Sequence, residues 1–288
     1  VTSLPLRYLQ LTKPTIMLLV VAAGATAAIL EGSLLQEPWR LAAFLVGLFL
    51  SGGSANALNQ FFERDIDARM ARTCGRRPLP LRQVSATQAL VFSLAIGVTG
   101  IIILGVLFNL LTAGIALGVI LFYSLVYTLG LKPSTSQNIV IGGIAGAMAP
   151  VGAWTAATGT TGVTPWLLFL IIFLWTPPHF WALALHFKDD YEKANLPMMP
   201  NTAGDESTLR QMFYYTLALV AASLALVYVE FGWIYLVTSI ALGATFVKKA
   251  HVSWKTKDPK AIWGLFKFSI WYLFALFVAL VLDKFIIR

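Results

Sequence analysis

Runs of apolar residues long enough to cross a bilayer recur along this chain, and they limit its fold before any other feature does. A helix needs roughly 20 such residues to span the hydrocarbon. Nine stretches approach that length: residues 15–30, 41–62, 86–107, 110–129, 138–157, 165–187, 212–229, 233–247 and 262–285. The first and eighth are short, and only Phe108 and Asn109 separate the third from the fourth. Just 12% of the 288 residues are charged, about half the share usual in a soluble domain, and the mean hydropathy is +0.77. The expected architecture is an all-α integral membrane protein of nine transmembrane helices, forming one domain over residues 1–288.

The net charge of +8 is explained by sidedness rather than by a nucleic-acid partner. With the N-terminus in the cytoplasm, all 21 basic residues except Arg40, Lys284 and Arg288 fall in cytoplasmic segments, as the positive-inside rule asks. That predicts an N-in, C-out topology with the chemistry on the cytoplasmic side. The single cysteine, Cys74, excludes an internal disulfide and a Cys-based zinc site. The opening residues VTSLPLRYLQLTKP have no charged segment ahead of an apolar core, so they do not read as a cleavable signal peptide. A start without Met is expected of a trimmed chain. No Arg/Ser-rich transit segment precedes the first span, which favours a bacterial cell membrane over a mitochondrial one. Gly142, Gly143, Gly146 and Ala147, and likewise Gly52, Gly53 and Ala57, form small-residue faces expected to pack closely against neighbouring helices.

Two polar clusters interrupt this apolar background. The first, NALNQFFERDIDARMARTCGRRPLP, runs from Asn56 to Pro80. Read as a helix, it sets Asn59, Glu63 and Asp67 at four-residue intervals on one stripe. All three carry hard oxygens of the type Mg²⁺ prefers, and Arg64, Arg69, Arg72, Arg76 and Arg77 accompany them. Oxygens for a metal beside arginines for phosphate suit a diphosphate–Mg²⁺ substrate. A solvated helix end of mixed charge, stopped by Pro78, has the same pattern. The second cluster closes the sixth span, WTPPHFWALALHFKDDYEKANLPMMP. Pro177 and Pro178 are expected to interrupt that helix. His186 and Asp190 stand four apart, Asp189 is one position off their stripe, and Lys188 and Lys193 lie nearby. His179 sits inside an apolar span, where an ionisable group is costly and usually functional.

These residues carry a resemblance. Asn59-x-x-x-Glu63-x-x-x-Asp67, followed by Arg72-Thr73 and Arg77-Pro78-Leu79-Pro80, resembles the first aspartate-rich motif of the UbiA-type intramembrane prenyltransferases, with Glu63 in place of a middle aspartate. His186-x-x-x-Asp190, where most members have two aspartates, together with WTPPHFWALA, KDDYEKANLPMMP, YLQLTKP and YTLGLKPSTSQNIVIGGIAGA, is similar to the protohaem IX farnesyltransferase branch. The match runs from about Tyr8 to the last helix. It departs at Thr15, where an arginine is frequent, and at Lys132-Pro133, where a basic pair is frequent.

The resemblance implies a UbiA-like bundle around a central cavity. It implies Mg²⁺-dependent transfer of a farnesyl group from farnesyl diphosphate to a vinyl group of haem b, giving haem O through an allylic cation quenched by water. Carried over, Asn59, Glu63, Asp67, His186 and Asp190 form the catalytic metal–diphosphate shell, with Asp189 and Asp65 beside it. Lys13, Arg72, Lys132 and Lys193 are the diphosphate partners. Tyr123 and Tyr127, one turn apart, face the cation or simply pack on each other. His179 contacts haem, through iron or a propionate. Membrane lipid and a haem A synthase or oxidase-assembly protein are the implied partners. A prenyltransferase acting on an aromatic quinone precursor is the nearest alternative. A transporter is disfavoured because the acids gather at one surface. A non-catalytic haem-handling protein would explain the histidines but not the oxygen spacing.

Overall fold

The computed structural model describes residues 3–230 and 232–286, and every regular element among them is a helix. Arg288, one of the three basic residues assigned to the outside, lies outside the described residues. Nine long helices follow a short one at Leu4–Leu11. They are α1 (Pro14–Glu31), α2 (Pro38–Phe62), α3 (Ala86–Leu107), α4 (Leu110–Ser134), α5 (Asn138–Thr158), α6 (Val163–His186), α7 (Gly204–Tyr228), α8 (Trp233–Thr256) and α9 (Pro259–Ile286).

The helix boundaries have local causes. Prolines open α1, α2 and α9, where the missing N–H costs nothing. Gly32 closes α1 in the left-handed region at φ 98°, which favours glycine. Ser85 and Gln88 form a capping box at the start of α3. Asn109 is extended and its side chain caps α4 through the Thr112 N–H. Its amide also donates to Thr155 O at 2.7 Å, so the residue that separates α3 from α4 also fastens them to α5. Within α4, residues Phe122–Leu131 adopt π-helical hydrogen bonding.

The bundle is closed. α2 packs on α3, α6 is bordered by α5, α7 and α9, and α9 returns to pack on α1. Chain direction can be followed from polar contacts at the ends. Asp283, late in α9, accepts from the N–H groups of Ile234 and Tyr235 at the start of α8, and Lys284 donates to Leu30 O at the end of α1. At the opposite end, Glu206 at the start of α7 pairs with Lys257 just after α8 at 2.6 Å. The ends of α2, α6 and α8 therefore lie on one side.

Among the described residues, eight helices, not the expected nine, are long and apolar enough to cross a membrane. The exception is α8. Its apolar character ends at Lys248 and Lys249, and Lys255 follows, so the apolar part stops short of a span. The helix is still built into the bundle, with Tyr235 and Phe246 fully buried. The Pro177–Pro178 pair does not interrupt α6, which runs unbroken from Val163 to His186. Both prolines are buried, and packed neighbours hold a helix together where a proline removes a hydrogen bond.

The small-residue faces are packing faces. A Cβ at Gly142 would stand 2.5 Å from ring carbons of Tyr127, and one at Gly52 would stand 2.7 Å from Met17 Cε. Gly142→Ala must therefore displace the Tyr127 ring. We expect it to lower stability by about 1–3 kcal/mol, the usual effect of overpacking, seen as an earlier thermal unfolding transition in detergent. An unchanged transition would mean that the α4–α5 contact is slack.

Candidate active site

α2 ends at Phe62, but its hydrogen-bond ladder continues past the end. Glu63 N donates to Asn59 O at 3.0 Å, and Asp67 N donates to Glu63 O at 2.8 Å. The four-residue stripe is thus preserved across the helix end and a following short turn, Arg64–Asp67. Asn59, Glu63 and Asp67 are all buried, at 1%, 2% and 2% exposure. This is not the solvated helix end that its charge pattern also allowed.

Three cations from three other parts of the chain meet these oxygens. Lys13, just before α1, donates from Nζ to Asn59 Oδ1 at 2.6 Å. Lys132, in the last turn of α4, donates to Glu63 Oε1 at 2.5 Å. Arg77 pairs with Asp67 through Nη1, and the same nitrogen lies 3.8 Å from Glu63 Oε2. The Asn59 amide donates to Thr128 Oγ1 at 2.9 Å, and Thr128 donates in turn to Tyr123 O at 2.7 Å. The π-helical part of α4 therefore orients Asn59. It also stacks Tyr123 on Tyr127, with ring centroids 5.1 Å apart and planes at 21°.

The electrostatics follow from burial against pairing. Burial opposes the Glu63 charge, but Lys132, Lys13 and Arg77 outweigh it and hold its carboxyl below the ordinary value. At Asp67 burial prevails over Arg77 and raises the carboxyl. Burial and the nearby Arg77 charge pull Lys13 down to about 7.

The second cluster joins the first at one point. Arg72 N donates to Asp190 Oδ2 at 3.0 Å, and the Arg72 guanidinium lies over the rings of Phe187 and Tyr191, at 5.6 and 5.7 Å. Its Nε is buried without a partner. Thr73 donates to Asp67 O at 2.7 Å, so the loop that presents Arg72 is tied to the oxygen stripe. Asp189 and Lys193 are exposed. His186 is exposed too, and its ring stacks on Trp263 at 4.3 Å. His179 is enclosed between Trp175 at 4.2 Å and Phe266 at 4.7 Å. Ser269 donates to Phe266 O, which leaves its oxygen to accept from His179 Nδ1 at 2.7 Å.

The structure therefore brings together Asn59, Glu63, Asp67, Lys13 and Lys132, and it links Asp190 and Arg72 to them. The sequence offers Arg77 as one of several arginines for phosphate and as part of the Arg77-Pro78-Leu79-Pro80 motif, without pairing it to Asp67, and Thr128 gives no signal before the π-helical turn is seen.

A bundle of apolar helices thus carries, at one end, buried carboxylates paired with cations from three other parts of the chain. The chain belongs to the UbiA prenyltransferase family, which matches residues 17–278. It is 47% identical over 284 residues to a protein named protoheme IX farnesyltransferase from Synechocystis sp., covering 96% of this chain and 88% of that one. It is 44% identical over 282 residues to protoheme IX farnesyltransferase 1 of Pseudomonas fluorescens, covering 97% and 94%. Among solved structures, a UbiA homolog from Archaeoglobus fulgidus bound to DMAPP and Mg²⁺ shares the fold, with a TM-score of 0.71, 14% identity and coverage of 95% and 99%. A structure concerned with digeranylgeranylglyceryl phosphate synthase in membranes has a TM-score of 0.77 at 17% identity, covering 96% and 97%.

Proposed function

We propose that this chain, acting as one transmembrane domain, transfers the farnesyl group of farnesyl diphosphate to a vinyl group of haem b. The observation that carries the chemistry is the buried Asn59–Glu63–Asp67 stripe ringed by Lys13, Lys132 and Arg77. The choice of donor and acceptor rests on the relatives that bear that name at 44–47% identity. In this reading the N-terminus faces the cytoplasm of a bacterial cell, supported by the basic residues that gather at and just after the ends of α2, α6 and α8.

Among the described residues, no group of three or more His, Cys, Asp or Glu side chains could hold a metal by itself. The donor set still fits Mg²⁺, which usually takes one or two carboxylates and completes its shell with water and substrate phosphate. Glu63 and Asp67 would hold it, with the Asn59 amide oxygen beside them, and Asp190, fixed by Arg72 N, would be the further carboxylate from the second cluster. When bound, the ion would help neutralise the charge of the departing diphosphate.

The chain's own residues account for the rest. Lys13, Lys132 and Arg77 supply positive charge where negative charge grows on the diphosphate as the allylic C–O bond breaks. Tyr123, stacked on Tyr127, is tied to Asn59 through Thr128 by two hydrogen bonds, the second to its backbone oxygen, and its ring quadrupole is the group offered to the farnesyl cation. The vinyl carbon of the haem attacks C1 of that cation. The carbocation left on the adjacent carbon takes up water and loses a proton, giving a hydroxyethylfarnesyl group and free diphosphate. Turnover in oxygen-18 water should therefore place the heavy oxygen in the new hydroxyl, read by mass spectrometry. Product without the label would refute the water-quench step.

A further inference from the structure

Five rings form one continuous stack between α6 and α9. Trp175 lies on His179 (4.2 Å, 17°), His179 on Phe266 (4.7 Å, 24°), Phe266 on Trp263 (4.7 Å, 18°) and Trp263 on His186 (4.3 Å, 24°). The inner end is fixed: Trp175 is buried and donates from Nε1 to Ser269 O at 2.7 Å. The outer end, His186, is exposed.

Phe187 lies between His186 and the Arg72–Asp190 link to the carboxylate stripe. α6 ends at His186, with Phe187 outside helical geometry at φ −110°, ψ 32°. Asp190 N donates to Phe187 O at 3.1 Å and Tyr191 N to the same oxygen at 3.3 Å, so the turn that carries Asp190 is built on Phe187. The Phe187 ring stands edge-on to His186 at 4.8 Å, while Arg72 lies over that same Phe187 ring. Phe187 thus separates the imidazole from the Arg72–Asp190 junction.

The surroundings of His186 have a different chemistry from the oxygen stripe. Trp263 fixes the plane of the imidazole. The Lys267 ammonium lies 5.8 Å from the centre of the Trp263 ring and is exposed. A Cβ built on Gly264, next to Trp263, would meet no atom within 4 Å, so there is open space along this part of α9. An oriented imidazole, a cation beside its stacking partner Trp263 and open space at Gly264 correspond to three parts of a haem: its iron, a propionate and the edge of its macrocycle. Imidazole is the commonest protein metal ligand and a standard axial ligand of haem iron.

We propose that His186 is an axial ligand to the iron of the haem acceptor, held in plane by Trp263, with Lys267 pairing a propionate. This rests on the reading of haem b as the acceptor. It moves His186 out of the diphosphate shell.

The test is a titration of the full chain in detergent with ferric haem b, followed in the Soret region, beside the KM for farnesyl diphosphate. Wild type should give a histidine-ligated spectrum. His186→Gly should lose it, regain it when imidazole is added, and leave the KM for farnesyl diphosphate unchanged. Lys267→Ala should weaken haem binding about tenfold, the equivalent of 1.4 kcal/mol, with the ligation spectrum intact. If His186→Gly keeps the wild-type spectrum, or if His179→Leu alone loses it, the assignment is overturned while haem stands as acceptor. A raised KM for farnesyl diphosphate in His186→Gly with unchanged haem binding returns the residue to the diphosphate shell. If wild type neither binds nor prenylates haem b, the acceptor reading fails together with the proposal.

Discussion

Asp67→Asn should turn over about 10²–10³-fold more slowly than wild type, the cost of removing one preorganised electrostatic group, while inserting and unfolding like it. Asparagine keeps the volume of the side chain and loses only its charge. Arg77 would not be stranded by the change, because its Nη1 also lies 3.8 Å from Glu63 Oε2. The substitution therefore separates catalysis from folding, which few changes at a buried charge can do. The measurement pairs kcat with thermal unfolding in the same detergent. Wild-type turnover in Asp67→Asn would remove Asp67 from the reaction.

Arg77→Ala should behave in the opposite way and fail first in stability. It leaves the Asp67 carboxylate, 2% exposed, without its partner. Glu63 would keep Lys132 at 2.5 Å and the nearby charge of Lys13. Breaking a buried ion pair from one side typically costs 3–5 kcal/mol. The Arg77 side chain is itself 19% exposed, so we expect about 3 kcal/mol, at the lower end of that range. Arg77→Lys should recover part of the loss, since it restores the charge without the guanidinium fork. An Arg77→Ala protein that unfolds with wild type would show that these carboxylates do not depend on Arg77.

The oxygen stripe was legible in the sequence because four-residue spacing survives a helix end when the hydrogen-bond ladder continues, as it does from Asn59 through Asp67. At His186 and Asp190 the spacing says less: the helix ends at His186, and Asp190 N and Tyr191 N both donate to Phe187 O, with no glycine or proline to mark the change. Arg77 could not be placed by periodicity, because the loop after Asp67 must turn back before its guanidinium reaches the stripe. Thr128 was likewise hidden, since π-helical hydrogen bonding alters which residues of α4 share a face. The count of spans failed at α8, where lysines begin before the apolar run is long enough to cross.

The family and its fold were legible for a different reason. Several separated motifs occur in one order along one chain, and the apolar runs between them leave helices as the open choice in a bilayer. What the motifs do not supply is geometry: which cation meets which oxygen, and which way each histidine faces.

The most direct test of the central claim is one reaction. The purified protein is incubated with haem b, farnesyl diphosphate and Mg²⁺, with an EDTA control, and the haems are analysed by mass spectrometry. The account predicts a product with the mass of haem O that is absent from the EDTA control. Unmodified haem b in both, from folded protein that prenylates a phenolic acceptor in a parallel tube, would contradict it.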